Sequence, residues 1–446
     1  MSVGSLERWW AAGRARLREL PPRIVLAIGY AAFLVYAHPG YMSNDSVVQL
    51  LEARSREYSD AHPPIMAAIW SVLDAIVSGP ILMLVLQSVL LLGGVYALLR
   101  RALGDRAGAW CAIGLLLFPP VLTPMAVIWK DSQMAAWLVA GVAAMTSERP
   151  RTRWIGLAMI AIGTAYRHNA FAASVPIVGL LFAWRPGMRW WKRYAISTVV
   201  TIVVVAAAFS TTRLLAVHHQ RITPAFGDIV GVLTYTHERS DDDLRHVLRG
   251  TPLHVTTDIQ AHARAIYSPR NYYQVSRGPN RLFDDPVTEE HWQNLDRAWR
   301  EIVTSDLGAY FTFRWSSYRE LLGLSDEPLF APVWNLFLEG AHQMAAIRHN
   351  AMPSRSQFYV GHVMAWLAFE TPLFRPYLYV VLALLLVIWL CRDRLTFALL
   401  ASGLLYELSY FPAAGAPDFR YSHWMIVATC LAAILLVGAR LRARRA

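Results

Sequence analysis

The sequence predicts an all-α membrane protein with about ten transmembrane helices, juxtamembrane helices and an extracytoplasmic segment. Two patterns carry that prediction. Apolar runs recur at lengths near the roughly 20 residues that cross a ~30 Å hydrocarbon core at about 1.5 Å per residue. Basic residues gather at every second turn between those runs. Composition agrees, since 16% of the 446 residues are charged and 55% hydrophobic, against about 25% charged in a soluble domain. The formal net charge of +11 does not mark a nucleic-acid partner, because the basic clusters flank apolar runs, the arrangement that orients membrane helices. The 17 tryptophans and 19 tyrosines fit interfacial belts. Cys111, Cys391 and Cys430 all lie in or beside apolar runs, so neither disulfides nor a thiolate metal site is expected.

Arg8, Arg14, Arg16, Arg18 and Arg23 precede the first run, 24–42, which places the N-terminus in the cytoplasm. A basic stretch before an apolar run also resembles a signal peptide. Here the run continues to Met42 behind a weak Val35-Tyr36-Ala37 cleavage signal, so it reads as an uncleaved anchor. The run 80–99 ends at Arg100-Arg101 and Arg106, so it points inward and 43–79 stays outside. Within that loop, 65–77 is apolar but short and reads as a surface helix. The alternation continues through 107–129 out, 132–146 in to Arg149, Arg151 and Arg153, 154–166 out, and 170–184 in to Arg185, Arg189, Lys192 and Arg193. It closes with 194–212 out, 376–391 in to Arg392 and Arg394, 395–412 out, and 421–439 in to Arg440, Arg442, Arg444 and Arg445. Both termini are therefore cytoplasmic. The organisation is an N-terminal transmembrane module (1–213) with its first outer loop (43–79), an extracytoplasmic segment (214–375), and C-terminal transmembrane helices (376–446).

Arg167-His168-Asn169 interrupts the apolar stretch 154–184. One continuous helix would place basic clusters on both sides and an Arg in the membrane, at about 2.5–3.5 kcal/mol on insertion scales. A helical hairpin with its polar tip below the outer surface avoids both, provided the tip lines a cavity. In the outer segment, Gly278-Pro279-Asn280 and Asp284-Asp285-Pro286 predict turns. Trp292, Leu295, Trp299, Ile302 and Val303 predict a helix over 288–304, and the aromatic stretch Tyr310 to Tyr318 is suited to the interface.

Polar residues suited to chemistry fall on the outer side in four loops: Ser43-Asn44-Asp45-Ser46 with His62-Pro63-Pro64, Lys130-Asp131-Ser132, Arg167-His168-Asn169, and Asp418-Phe419-Arg420-Tyr421-Ser422-His423. A carboxylate after the first helix, a His-Pro-Pro element some seventeen residues later and an acidic second outer loop resemble the GT-C glycosyltransferases. The protein O-mannosyltransferases and the aminoarabinose transferases of lipid A are the nearest in pattern. The resemblance covers roughly residues 20–190 and the Arg420-Tyr421 turn, while 214–375 matches nothing in it. It implies a GT-C-like membrane fold and transfer of a sugar from a polyprenyl-phosphate donor to a glycan or lipid acceptor among membrane lipids. It also implies a bacterial inner membrane with the active site facing the periplasm. Where oligosaccharyltransferases carry Trp-Trp-Asp, Trp190-Trp191 is followed by Lys192 on the cytoplasmic side, so asparagine glycosylation is not expected.

Such a transfer needs a base for the acceptor hydroxyl and fixed cations for the charge growing on the phosphate. The resemblance places the catalytic carboxylate at Asp45, which its context also suits to capping a helix from Ser46. Lys130 and Asp131 read as substrate ligands or as an interfacial ion pair. Arg167 and His168 read as phosphate ligands or as snorkelling side chains. Arg420 and Tyr421 read as ligands or interfacial anchors, and His62 as part of a proline-built turn that can face the site. His218-His219, His342 and His349 lack zinc-site spacing, and the resemblance to lipid-phosphate sugar users implies metal-independent transfer, so no cofactor is expected, with a divalent cation, which some GT-C enzymes use, as the alternative. The competing readings are a glycolipid transporter or flippase, which inverted repeats and broken helices would mark, and an O-antigen polymerase or ligase, to which 213–375 would supply the large loop.

Overall fold

The computed structural model describes residues 19–60, 62–183, 185, 187–218, 225–270, 275, 278–334, 353–389, 391 and 393–444. Arg8, Arg14, Arg16, Arg18, Arg392, Arg445, His219, His342 and His349, as well as the side chain of His218, lie outside the described residues. Among the described residues the chain is all-α apart from one short parallel pair of strands.

The N-terminal half contains α1 (Pro22–Ala37), α2 (Asn44–Ser55), β1 (Tyr58–Ser59), α3 (Ile65–Ile76), α4 (Ile81–Leu103), α5 (Asp105–Leu116), α6 (Pro119–Met125), α7 (Lys130–Met145), α8 (Pro150–Ala165), α9 (Phe171–Leu181), α10 (Trp190–Leu215) and β2 (Ala216–His218). The second half contains α11 (Ala225–Tyr235), α12 (Asp241–Val247), α13 (Ile259–Ile266), α14 (Glu289–Ser305), α15 (Leu307–Leu322), α16 (Arg355–Glu370), α17 (Pro376–Trp389), α18 (Arg394–Ala413) and α19 (His423–Ala443). Among the described residues, four helical stretches are long and apolar enough to cross a membrane: α4, α10, α18 and Phe419–Ala443. The bent pair α5–α6 makes a fifth if it is one span. The other apolar runs fold as shorter helices, such as the 16 residues of α1 and the 11 of α9.

Prolines shorten these runs. The first run stops at Ala37, because Pro39 cannot continue the helix and Gly40 follows with φ +114°. Tyr41 and Met42, expected at the end of the helix, instead form an extended strap bridged to Val127. The run 107–129, expected as one helix, bends by 68° at Pro119-Pro120 and continues as extended chain. The residue before a proline avoids the helical region, and Pro119 starts the new helix at a position where its missing N–H costs nothing. The break expected at Arg167 is present between α8 and α9.

Small residues let the helices approach closely. A Cβ added at Gly156 would fall 2.4 Å from the Met145 nitrogen, and one at Gly94 would fall 2.8 Å from Ala140 Cα. α4, α7 and α8 therefore pack backbone to backbone, as membrane helices do where small residues line the seam. α3 buries Met66, Ala67 and Trp70 and leaves Val72 and Ile76 exposed, the profile expected of a surface helix.

A second core is formed within 225–310, with Ile229, Leu233, Leu244, Phe283, Leu295 and Ile302 fully buried, while Tyr318, Leu321 and Leu322 join the core of the bundle. The predicted helix is α14, started by Thr288, whose side chain accepts from His291 N. The aromatic stretch from Tyr310 to Tyr318 is helical. It lies in α15, where Phe313 and Tyr318 are buried while Phe311 and Trp315 stay exposed. Arg314 ties this unit to the bundle. It pairs with the buried carboxylate of Asp228 and donates through Nη1 to the Ala414 carbonyl at 3.1 Å.

Candidate functional site

The site grows from two stitched loops. Ser43, not Asp45, stands at the N-cap of α2. Ser46 Oγ lies 3.1 Å from the Ser43 nitrogen, which donates to it, and itself donates to the Ile128 carbonyl at 2.7 Å. Trp129 Nε1 donates to Ser43 Oγ at 2.8 Å, and Tyr41 exchanges backbone hydrogen bonds with Ala126 and Ile128 at 2.9 Å each. Irregular backbone buried in a bundle must have its carbonyls satisfied internally. Gln87 Nε2 provides this, donating to Met125 O at 2.7 Å and Val127 O at 3.0 Å, while Gln133 Nε2 donates to Gln87 Oε1 at 2.9 Å. The outcome is that Asp45, on the first turn of α2, faces Lys130 and Asp131 at the start of α7.

Arg420 is the hub. Its Nη2 donates to Asp45 Oδ2 at 2.7 Å, and its Nε stands 2.7 Å from Asp418 Oδ2 and 3.8 Å from Asp131 Oδ2. Its guanidinium lies 4.9 Å from the Trp129 ring centroid. Arg167 Nη1 donates to Asp131 Oδ1 at 2.8 Å, with its guanidinium 4.5 Å from the Tyr421 ring. Tyr421 stacks in parallel on Tyr410 at 4.8 Å. Lys130 Nζ donates to His62 Nδ1 at 2.6 Å, which leaves the His62 proton on Nε2, 3.8 Å from Asp45 Oδ1. Three carboxylates and three cations thus form one network.

Exposure separates their roles. Asp131 is 1% exposed and closed on Arg167, whereas the Asp45 side chain is 29% exposed and open to a ligand. His168 stays on the rim, beside a narrow cleft of about 10 Å³ that it lines with Pro63, Arg167, Phe209 and Thr212. That cleft meets α10, whose Ile202, Val203 and Phe209 are exposed. Burial works against ionising Asp45, but the charges of Arg420, Lys130 and His62 outweigh it and hold the carboxyl well below the usual range. Lys130 and burial together lower His62 to about 3, so its imidazole is neutral. Burial pushes Asp418 up to about 6, only partly offset by Arg420.

All four predicted loops contribute, and Asp45, His62, Lys130, Asp131, Arg167, Arg420 and Tyr421 come together. Sequence reasoning named Asp418 within its loop but assigned it no role, and it missed Trp129 and Tyr410. The signals were adjacency to Lys130 for Trp129 and the i, i+2 spacing to Arg420 for Asp418. Among the described residues, no three His, Cys, Asp or Glu side chains are placed to share a metal ion.

Comparison of the chain with family models, with curated proteins and with solved structures finds no match. The functional reading therefore rests on the geometry of the site.

Proposed function

We propose that the chain is a GT-C-like membrane glycosyltransferase that moves a sugar from a polyprenyl-phosphate carrier to a glycan or lipid acceptor outside a bacterial inner membrane. The observation that carries this reading is the pairing of a part-exposed carboxylate, Asp45, with a buried arginine pair and a lysine at one end of the bundle. Asp45 takes the proton of the acceptor hydroxyl, whose oxygen bonds to the anomeric carbon. The bond from that carbon to the phosphate oxygen breaks, and its electron pair leaves with the lipid phosphate. Arg167, Arg420 and Lys130 receive that charge, since preorganised donors in a recessed site act without reorganising. Asp131, too buried to touch substrate, positions Arg167, and His62 orients Asp45. The exposed apolar face of α10 beside the His168 cleft suits a lipid tail arriving from the side. In this reading the shorter helices α1, α7, α8, α9 and α17 complete a ten-span topology with both termini cytoplasmic.

Mass spectrometry of envelope glycolipids and polysaccharides tests the proposal in three strains: a deletion, the deletion with wild type restored, and the deletion with Asp45→Asn at matched protein level. One sugar should vanish on deletion, return with wild type and stay absent with Asp45→Asn. Full return with Asp45→Asn rejects Asp45 as the base. The 68° break between α5 and α6 and the break at Arg167 favour a second reading as a glycolipid transporter. Unchanged glycans after deletion would select it.

A further inference from the structure

Of the three carboxylates around Arg420, Asp418 is the one whose side chain accepts no aligned hydrogen bond, although the buried Oδ2 of Asp131 also lacks a partner. Asp45 accepts an aligned hydrogen bond from Arg420 Nη2 and Asp131 accepts one from Arg167 Nη1. Asp418 Oδ2 lies 2.7 Å from Arg420 Nε, yet that N–H has no aligned acceptor, and the buried Oδ1 of Asp418 has no hydrogen-bond partner. The residue is only 7% exposed, and a buried polar atom without a protein partner marks a place where the chain's own groups leave a contact unmade. Three carboxylates already balance Arg167, Arg420 and Lys130. A bound phosphodiester adds a fourth anion to a buried network, where an uncompensated charge is strongly disfavoured.

We propose that Asp418 is an internal stand-in for the ligand's phosphate: a lipid-borne phosphodiester replaces it on the Arg420 guanidinium, and Asp418 takes up one proton from water as it is displaced. The balance is complete. The carboxylate becomes a carboxylic acid, the phosphodiester keeps its single charge, and the network stays neutral. The ligand class rests on the glycosyltransferase reading; the exchange itself rests on the charges and contacts of the site.

Every group facing Asp418 fits this role. α2 presents Asp45, α7 presents Asp131, and the α8–α9 turn presents Arg167, while Lys130 stands behind Asp45 on His62, which is kept neutral. Tyr421 flanks Arg420 within the turn itself. From α18 come Tyr410 and Glu407, the latter accepting from Ser422 Oγ at 2.8 Å, and from α15 comes Arg314, committed to Asp228 and the Ala414 carbonyl. Asp418, pushed up to about 6 by burial, takes up a proton readily near neutrality. An anion that binds with uptake of one proton loses affinity about tenfold per pH unit above the carboxyl's pKa.

The test uses the purified full chain in lipid nanodiscs, with methyl dodecyl phosphate as probe, because its one charge does not change with pH. Affinity is measured across the neutral range for wild type and Asp418→Asn. Wild type should weaken about tenfold per pH unit between the Asp418 value of about 6 and the Lys130 value of about 8, and Asp418→Asn should bind with little pH dependence over that interval. Calorimetry of wild type in buffers of differing ionisation enthalpy should count about one proton taken up per probe near pH 7, above the Asp418 value of about 6 and below the Lys130 value of about 8, a result independent of how the variant folds. A flat wild-type profile, the same slope in Asp418→Asn, no proton uptake or no binding at any pH overturns the exchange. Dimethyl phosphate should bind more weakly than the alkyl probe; equal affinity overturns the lipid assignment. A proton-linked slope in a protein whose deletion leaves all glycans unchanged would remove the glycosyltransferase reading and keep the exchange.

Discussion

Arg420 Nη2 donates to Asp45 Oδ2 at 2.7 Å across 375 residues of chain. This contact joins the loop after α1 to the turn before α19 and pulls the charged turns of the loops between them into one network. Each group in it is constrained by the others, so substitutions have effects that differ in kind as well as size.

Asp45→Asn removes the proposed base while keeping shape and leaves Arg420 its contact with Asp418. Sugar transfer should fall about 10²–10⁴-fold, the span of general-base effects, with the protein's abundance unchanged. Product quantification against an immunoblot of the membrane fraction checks both halves.

Arg420→Lys should be nearly as damaging as Arg420→Ala. A lysine carries the charge but not the planar fork that reaches Asp45 and Asp418 at once. Arg420→Ala leaves buried carboxylates without their cation and should cost about 3–5 kcal/mol of stability. The thermal midpoint of the purified protein reads that loss, and adding Asp418→Asn should recover part of it.

The pH dependence of stability has a definite sign at Asp418. Its folded pKa of about 6 lies above the ordinary value of 3.8, so the folded state holds more protons between those two values. Stability from this group is full below the lower value and lost as pH rises through the upper one. Asp418→Asn should therefore raise the thermal midpoint at mildly alkaline pH, and the gain should shrink as the pH falls below about 6. His62 acts in the opposite direction, because its folded pKa of about 3 lies below 6.5 and it destabilises as pH falls between them. His62→Gln should flatten the acid side of the stability profile.

Asp228 and Arg314 form a buried pair that also holds the chain at Ala414, four residues before Asp418. Arg314→Met alone should cost about 3–5 kcal/mol, and Arg314→Met with Asp228→Leu distinctly less, because the double variant leaves no lone buried charge. Chemical denaturation of the two variants measures the difference. Sugar transfer should drop in both if anchoring of Ala414 orders the Arg420 turn.

The sequence by itself determined what depends on neighbours along the chain. Apolar runs and basic turns located the helices and grouped four polar loops on one side. The charge of Arg167 predicted the break between α8 and α9, and the apolar spacing from Trp292 to Val303 predicted α14. Tertiary structure decided the rest. The prolines at 39, 119 and 120 were visible, yet their effect was to cut two apolar runs into shorter helices and free the extended chain that carries Tyr41 and Trp129. Hydropathy alone does not register that effect. The second core escaped the sequence because its apolar residues are scattered over short helices, with few of them in any one window. Asp418 was legible only as a polar residue near the last helix. Its standing as the carboxylate without an aligned hydrogen bond depends on how Arg420 is shared between α2, α7 and its own turn. Local spacing specifies a helix, but the division of one guanidinium among three carboxylates is settled only when distant segments pack.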